Sequence, residues 1–290
     1  MKGKKMLISA TRLLPDRIYL QLVYHYHTGK WINFRTPKGF NEKIQWLKLH
    51  DHRPEYTTMV DKLLAKEYVG KIVGQKYIVP TLKVWDDPSE IDFDTLPDQF
   101  VLKCNHDSGG VVICRDKSVF DRKAAIKKLS ARLKKNAYWQ GREWPYKNVE
   151  KKVFAEKFMA DDTNKELIDY KFYCFDGKPQ FLYCSYAAFK NGSKHDQLTF
   201  FDLDMNPAPF HRTDHDPFPD PIKKPENFDE MIELCQKLSK GIPFVRVDLY
   251  NINKQVYFSE FTFSPGSGYG IFSPEEWERK IGDMVVLKKH

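Results

Sequence analysis

The sequence has no CxxC pair, and its five cysteines, Cys104, Cys114, Cys174, Cys184 and Cys235, are scattered and odd in number. That argues against a disulfide framework and a zinc site, and leaves buried reduced thiols as the expectation. No apolar run approaches the roughly 20 residues that a membrane-spanning helix needs. The N-terminal stretch MKGKKMLISATRLLPDR starts basic, but its apolar patch is short and broken by Arg12 and Asp16. This argues against a secretory leader and for a cytoplasmic protein. There is no Walker-type phosphate loop, no HExxH, no internal repeat and no low-complexity tract. No motif of nucleic-acid recognition occurs either, so no nucleic-acid partner is expected.

What the chain has in excess is positive charge, and it is unevenly placed. The formal charge is +8. Residues 1 to 60 hold 11 Lys/Arg against 4 Asp/Glu, whereas the other 230 residues hold 36 against 35. The basic segment is interleaved with aromatics such as Tyr19, Tyr24, Tyr26, Trp31, Phe34 and Trp46. Two readings stay open. One is a solvated helical cap whose aromatics pack inward. The other is a surface for something acidic: an anionic glycan, a phosphate, or the anionic leaflet of a membrane.

With 41% hydrophobic residues, the chain can build a sizeable core. Apolar residues at helical spacing predict helices over 16–28, 40–50, 54–71, 119–135 and 226–239. Short apolar runs bounded by turn residues predict strands at KYIVPTLKVW, QFVLKCN, GVVICRD, KKVFAEKFM and QLTFFDLD. Two hairpins stand out, one turning at Asp176-Gly177-Lys178 and one around Asn251 to Lys254. Residues 207–225 are Pro-rich and read as irregular. Ser273, Pro274 and Glu276 read as a capping box opening a last helix. Strands and helices mix and most strand pairs read as antiparallel, so the expected class is α+β.

Three stretches place chemistry against this background. In VLKCNHDSGG, Lys103 stands inside an apolar strand and runs into a loop ending in two glycines, a pattern that suits phosphate. An ordinary hairpin turn with an edge lysine is the alternative. In PFVRVDLYNINKQVYFSEFTF, Asp248 and Glu260 stand on adjacent strands among apolar and aromatic residues. Two neighbouring buried carboxylates need a cation. A hard ion such as Mg²⁺ fits, and so does Arg246, which shares a strand face with Asp248. In FDLDM, Asp202 and Asp204 form an Asp-x-Asp. That is a metal and nucleotide-sugar signature, or a turn that caps a strand.

These pieces, in this order, resemble the ATP-grasp superfamily, whose members include carboxylate–amine ligases such as D-alanine–D-alanine ligase. Asp61-Lys62 with Lys66 resembles its helix-borne DKxxxK segment. Lys103 with His106, Ser108, Gly109 and Gly110 resembles the strand lysine and Gly-rich lid over the triphosphate. FAEKFM resembles the hinge that hydrogen-bonds adenine, which implies Glu156 and the backbone of Lys157, Phe158 and Met159. Asp169 is similar to the acid that takes the ribose hydroxyls. VRVDLY followed by SEFTFSPGSG is similar to the ligases' metal-binding segment. The resemblance implies Asp248, Glu260 and Thr262 as magnesium ligands, with Thr262 where the family usually has Asn. It implies Arg246 and the Gly266 backbone at the developing acyl-phosphate oxyanion, and Lys171 or Lys194 as a further phosphate-binding lysine.

The short helical N-terminal fifth, with GFNEKIQWLKLHD, brings the chain nearest the TupA-like branch, associated with bacterial capsule and teichuronopeptide synthesis. The resemblance implies an ATP-grasp fold in three parts. These are a basic helical segment over 1–60, a subdomain with the Gly-rich lid over 61–155, and a subdomain with the magnesium site over 156–290. It implies ATP and Mg²⁺ as cofactors, and a ligase that joins a uronic-acid or amino-acid carboxylate to a small amine through an acyl phosphate. The basic segment would hold an anionic or lipid-linked glycan acceptor, or keep the enzyme at the inner face of the membrane. The rival readings are a glycosyltransferase using Asp202 and Asp204, a sugar or polyol kinase, and a non-catalytic glycan-binding module.

Overall fold

The structure is a computed structural model of the chain, and it describes residues 11–161, 167–186, 197–218 and 222–288. The chain opens with helices. α1 (Asp16–Thr28) ends at Gly29, which is left-handed with φ 70. α2 (Phe40–His50) follows. The expected single helix over 54–71 is corrected. Asp61, with φ −73 and ψ 111, is extended and divides the stretch into α3 (Glu55–Val60) and α4 (Lys62–Val73). The cause is local. One Asp61 carboxylate oxygen accepts from the Leu63 and Leu64 N–H groups and so caps α4. The other accepts from Asn105 Nδ2 at 2.8 Å.

β1 (Thr81–Trp85), β2 (Phe100–Cys104), β3 (Val111–Cys114) and β4 (Val153–Lys157) form an antiparallel sheet in the order β1-β4-β2-β3. The two-residue period of β2 turns Phe100, Leu102 and Cys104 into the core. There they meet Ala125 and Leu129, one turn apart on α5 (Arg122–Leu133). Lys103 is left on the opposite face. A short turn, α6 (Tyr138–Gly141), leads back to β4.

The second half contains β5 (Ile168–Phe175), β6 (Lys178–Tyr186), β7 (Leu198–Phe201), β8 (His211–Arg212), α7 (Phe228–Ser239), β9 (Val245–Ile252), β10 (Gln255–Thr262), β11 (Phe272–Ser273) and α8 (Glu276–Met284). Five of these strands make an antiparallel sheet in the order β10-β9-β5-β6-β7. One face carries Phe172, Leu182, Val247, Leu249 and Phe261, and α7 covers it with Phe228, Met231, Cys235 and Leu238. α3 and α4 add Tyr56, Met59, Ala65 and Val69 to that same core. The hydrophobic cluster therefore runs across the subdomain boundary expected at residue 61. The boundary expected at 156 falls inside β4. On the other face, α2 and α8 bury Phe40, Ile44 and Ile281 against Phe181, Phe200 and Phe272.

Helices and antiparallel sheets are segregated as an α+β fold. All five cysteines are buried and free. No helix among the described residues is long and apolar enough to cross a membrane. The expected capping box does not form. Ser273 pairs with His211 as part of a two-stranded ladder, so its backbone is extended, and α8 begins at Glu276 without a side-chain cap.

Candidate active site

Strand register builds a charged row across the larger sheet. Lys171 on β5 pairs with Asp248 on β9, which pairs with Glu260 on β10. The next row sets Tyr173 beside Arg246, and Arg246 beside Thr262. A bulge between Phe258 and Glu260 sets the phase of β10 at this end. Asp248 is fully buried. Arg246 grips it with two bonds, Nε to Oδ1 at 2.7 Å and Nη2 to Oδ2 at 2.6 Å, and Lys171 adds a third at 2.8 Å. Arg246 also donates to Tyr183 Oη and Thr262 Oγ1, both at 2.9 Å. Glu260 is held more loosely, 3.5 Å from Arg246 Nη2 and 3.6 Å from Lys62 Nζ. Burial pushes its carboxyl up, but Lys62, Lys171, Arg246 and Lys103 outweigh that and hold it at about 2.

The smaller sheet contributes the facing charges. Glu156 on β4 bridges two lysines, Lys66 at 2.5 Å and Lys103 at 2.5 Å. Burial raises its carboxyl, and the two lysines bring it below the ordinary value. Lys66 donates further to the Val79 carbonyl and to Thr81. Lys62 donates to the Asp107 carbonyl at 2.8 Å and so ties α4 to the Gly-rich loop. Inside that loop, Asp107 accepts from the Gly110 N–H and pairs with Arg132. A Cβ on Gly110 would lie 2.6 Å from Cys104 Sγ, so only glycine fits there. Ser108 and Gly109 are exposed. His106 is buried among Asp107, Lys151 and the backbone of Arg132 and Lys135, and burial lowers its pKa. Lys157, at the end of β4, is exposed, and Phe158 lies under Arg115. Met159 follows, half-buried.

Asp169 stands 3.2 Å from Lys171, and its second oxygen is buried without a hydrogen-bond partner. Burial raises its pKa, Lys171 offsets part of that, and Asp248 and Glu260 add to the rise. Across the two sheets the layer thus holds Lys62, Lys66, Lys103, Lys171 and Arg246 against Glu156, Asp169, Asp248 and Glu260. Among the described residues of this layer, cations are in excess by one. Lys194, the other lysine expected at phosphate, lies outside the described residues.

After β10 the chain turns sharply. Gly266, Ser267 and Gly268 are all left-handed, with φ 54, 52 and 67. Ser267 adopts this uncommon conformation because it is pinned from several sides. Its hydroxyl donates to Glu143. Its carbonyl accepts from Gln45 Nε2 at 2.9 Å and from Lys48 Nζ at 2.8 Å. Lys48 also holds the Gly141 carbonyl. Burial lowers this lysine to about 8, with Glu143 opposing the shift. Beneath the turn lies Arg212, paired with Asp214. A Cβ on Gly266 would sit 3.1 Å from Arg212 Nη2, and one on Gly270 would sit 2.7 Å from Arg212 Cζ. Tyr146 borders the same region; burial raises its pKa far above the ordinary value, and Glu143 and Glu260 add to it.

Sequence reasoning overlooked Gln45, Lys48, Tyr146, Tyr183 and Arg212. Lys48 did leave a trace, since it follows Ile44 by one helical turn and so stands on the apolar side of α2. Arg212 left none, in a Pro-rich stretch without periodicity. Asp202 does not join the layer. It sits at the end of β7, the sheet edge opposite β10, where Oδ1 accepts from the Asp204 and Asn206 N–H groups. That is a turn cap.

Among the described residues, no three His, Cys, Asp or Glu side chains lie together as a metal site. The donors do fit a hard cation that shares phosphate oxygens, since such an ion takes only one or two carboxylates from the protein. Glu260 is the loosely held carboxylate, whereas both oxygens of Asp248 are engaged.

Comparison with known proteins gives one sequence match. The profile of a family described as TupA-like ATP-grasp matches residues 42–286. No curated protein matches the chain. Solved structures similar to it include the ATP-grasp ligase PsnB complexed with minimal precursor, Mg and ADP, at 11% identity and a TM-score of 0.42. That match covers 77% of this chain and 58% of PsnB. D-alanine–D-alanine ligase from Bacillus anthracis matches at 18% identity and a TM-score of 0.40, over 86% of this chain and 69% of that one. The macrocyclase MdnC bound with precursor peptide MdnA, from Microcystis aeruginosa, matches at 11% identity and a TM-score of 0.39, over 80% and 62%. The chain thus spans less than two thirds of the length of PsnB and of MdnC.

Proposed function

The chain belongs to the TupA-like ATP-grasp family, and from that premise we propose that it is an ATP- and Mg²⁺-dependent ligase joining a carboxylate to an amine. The observation that carries this reading is the layer between the sheets, where five cations face four acids. That excess, with the two charges of Mg²⁺, would offset most of the about four negative charges of a triphosphate. In phosphoryl transfer, positioning and charge neutralisation are most of the catalysis, and these side chains suit both.

We assign the roles by the family resemblance, and the positions of these side chains support them. Lys103, Lys62 and the backbone of Ser108, Gly109 and Gly110 hold the phosphates. Glu156 keeps Lys66 and Lys103 aimed, and the backbone of Lys157 to Met159 takes adenine. The free oxygen of Asp169 is suited to a ribose hydroxyl. Lys171 shields a phosphate while anchored on Asp248. Glu260, with Asp248 and Thr262, would hold Mg²⁺, which would supply neutralisation of phosphate charge. Arg246 and the Gly266 backbone stabilise the negative charge that develops as the acceptor carboxylate attacks the terminal phosphorus of ATP, the β–γ bridging bond breaks, ADP leaves and the acyl phosphate forms. An amine then displaces phosphate to leave an amide. We assign the acceptor to a surface polysaccharide or its precursor, as a uronic-acid or amino-acid carboxylate.

Thermal unfolding with ATP–Mg²⁺ tests the premise. Ligand at 100 times its Kd should add about 2.7 kcal/mol of stability. A shift with a UDP-sugar and none with ATP would favour a glycosyltransferase and overturn the reading. Glu260→Gln should lower ATP turnover by about 100-fold or more, assayed at a temperature where circular dichroism shows the variant still folded. Amide plus free phosphate as products distinguishes a ligase from a kinase, which would yield a phosphorylated acceptor.

A further inference from the structure

We infer that the outer face of α1 docks on an anionic membrane surface. The inner face of this helix is ordinary: Tyr19, Leu20 and Tyr24 are buried with Ile32 and Phe34. The outer face is not. Ile18, Leu22 and Tyr26, each one turn apart, are 48%, 49% and 84% exposed. Trp31, 55% exposed, lies flat on the His25 ring with centroids 4.1 Å apart and extends the stripe past the helix end. An amphipathic surface helix shows water its charged side. Here residues 18–29, IYLQLVYHYHTG, contain no Lys, Arg, Asp or Glu, in a chain that is 30% charged.

Charge appears only at the two ends of the stripe, and there the basic side chains outnumber the acidic ones. Arg12 and Arg17 precede it; Lys30 and Arg35 follow it. The one acid of the helix, Asp16, is turned inward to Tyr138 and Arg142. Glu275, the acid beside Lys30, is paired with it. The face combines aliphatic side chains, a tyrosine and a tryptophan suited to the headgroup region, and a positive rim. Apolar matter beneath a negative surface is what complements that combination, and a leaflet of anionic lipid supplies both.

The docking stands whether or not the ligase reading does, because no residue of the charged layer takes part. It also fixes an orientation. His27, exposed near the end of α1, stacks on Tyr269 at 4.8 Å, just beyond the left-handed turn of Gly266 to Gly268.

Sedimentation of the full chain with vesicles tests the inference. Phosphatidylcholine–phosphatidylglycerol vesicles should bind it at least about ten-fold more strongly than phosphatidylcholine alone, and high salt should release it. The double variant Ile18→Glu/Leu22→Glu should lose about ten-fold or more of that binding. Its circular dichroism and its thermal shift with ATP should match those of the wild type. Tyr26→Ser, a change at a side chain that is almost fully in water, should weaken binding in the same direction and guards against misfolding of the double variant. Absence of vesicle binding by the wild type would overturn the inference, as would undiminished binding by the variants. So would a wild-type dimer in light scattering that the double variant splits, since a second copy would then be the occupant of the stripe.

Discussion

Glu260 and Glu278 are both largely out of water, yet their carboxyls are moved in opposite directions. Glu260 is held at about 2 and Glu278 is pushed up to about 7. Burial raises both. In the charged layer, four cations outweigh it. At the seam between α2 and α8, Glu278 accepts from the Asn41 N–H at 2.6 Å and from Asn41 Nδ2 at 2.9 Å, and Glu42 adds negative charge. Lys48 shows the same contrast with reversed sign. Its partners are carbonyls, and burial brings it down to about 8, whereas Lys103, beside Glu156, is raised despite its burial. Dipoles satisfy hydrogen bonds without cancelling the cost of a buried charge; an opposite charge does both. Glu260 and Lys103 are thus held ionised by opposite charge, whereas Glu278 and Lys48 at the seam carry their charge at a cost.

The largest effect is expected from breaking the layer. Asp248→Asn would leave Arg246 and Lys171 without their common carboxylate and should destabilise the protein by about 3–5 kcal/mol in urea unfolding. A loss below about 1 kcal/mol would mean that the layer does not depend on its pairing. Glu260 predicts the pH side of the same comparison. Its folded-state carboxyl lies below the ordinary 4.5, so its contribution to stability is complete above about pH 4.5 and is lost as pH falls toward 2.

Glu278 should behave the other way. Its carboxyl is raised from 4.5 to about 7, so the fold keeps a proton that the unfolded chain has released. Stability should fall as pH rises from 4.5 to 7 and then level off. Glu278→Gln should remove that slope, which amounts to about 3 kcal/mol between pH 4.5 and 8, one pKa unit being worth about 1.4 kcal/mol. The smallest net change at neutral pH is expected for Lys48→Met, about 1 kcal/mol or less, because lost hydrogen bonds and relieved desolvation offset. The slope is the diagnostic. The wild-type lysine is lowered from 10.5 to about 8, so its cost should fade as pH rises through that interval, and the variant should show no such rise.

This contrast also explains what could be read from sequence. Asp248, Glu260 and Arg246 share one hairpin, so short-range counting brings them together. Lys103 announces itself as a lysine in an apolar strand. The α+β class follows from alternation and turn signals alone. The seam was not legible, because Lys48 reaches Gly141 and Ser267 across the fold, and Glu278 reaches back to Asn41. No local pattern encodes such pairs. Asp61 shows a different failure. The apolar spacing of residues 54–71 suited one helix, and the capping carboxylate inside it took precedence over the period.

The bulge in β10 makes the acid pair a question of parity. The turn end of the hairpin pairs Gln255 with Ile252 and Phe258 with Leu249. Continuing that count would set Ser259 opposite Asp248 and point Glu260 at the apolar core under α7. One supernumerary residue changes odd for even, so that Glu260 meets Asp248 while Phe261 still points inward beside Val247. Two reading frames therefore coexist in one strand, one serving the core and one serving the charge layer, and the carboxylate sits on the right side of the sheet only because they are out of step.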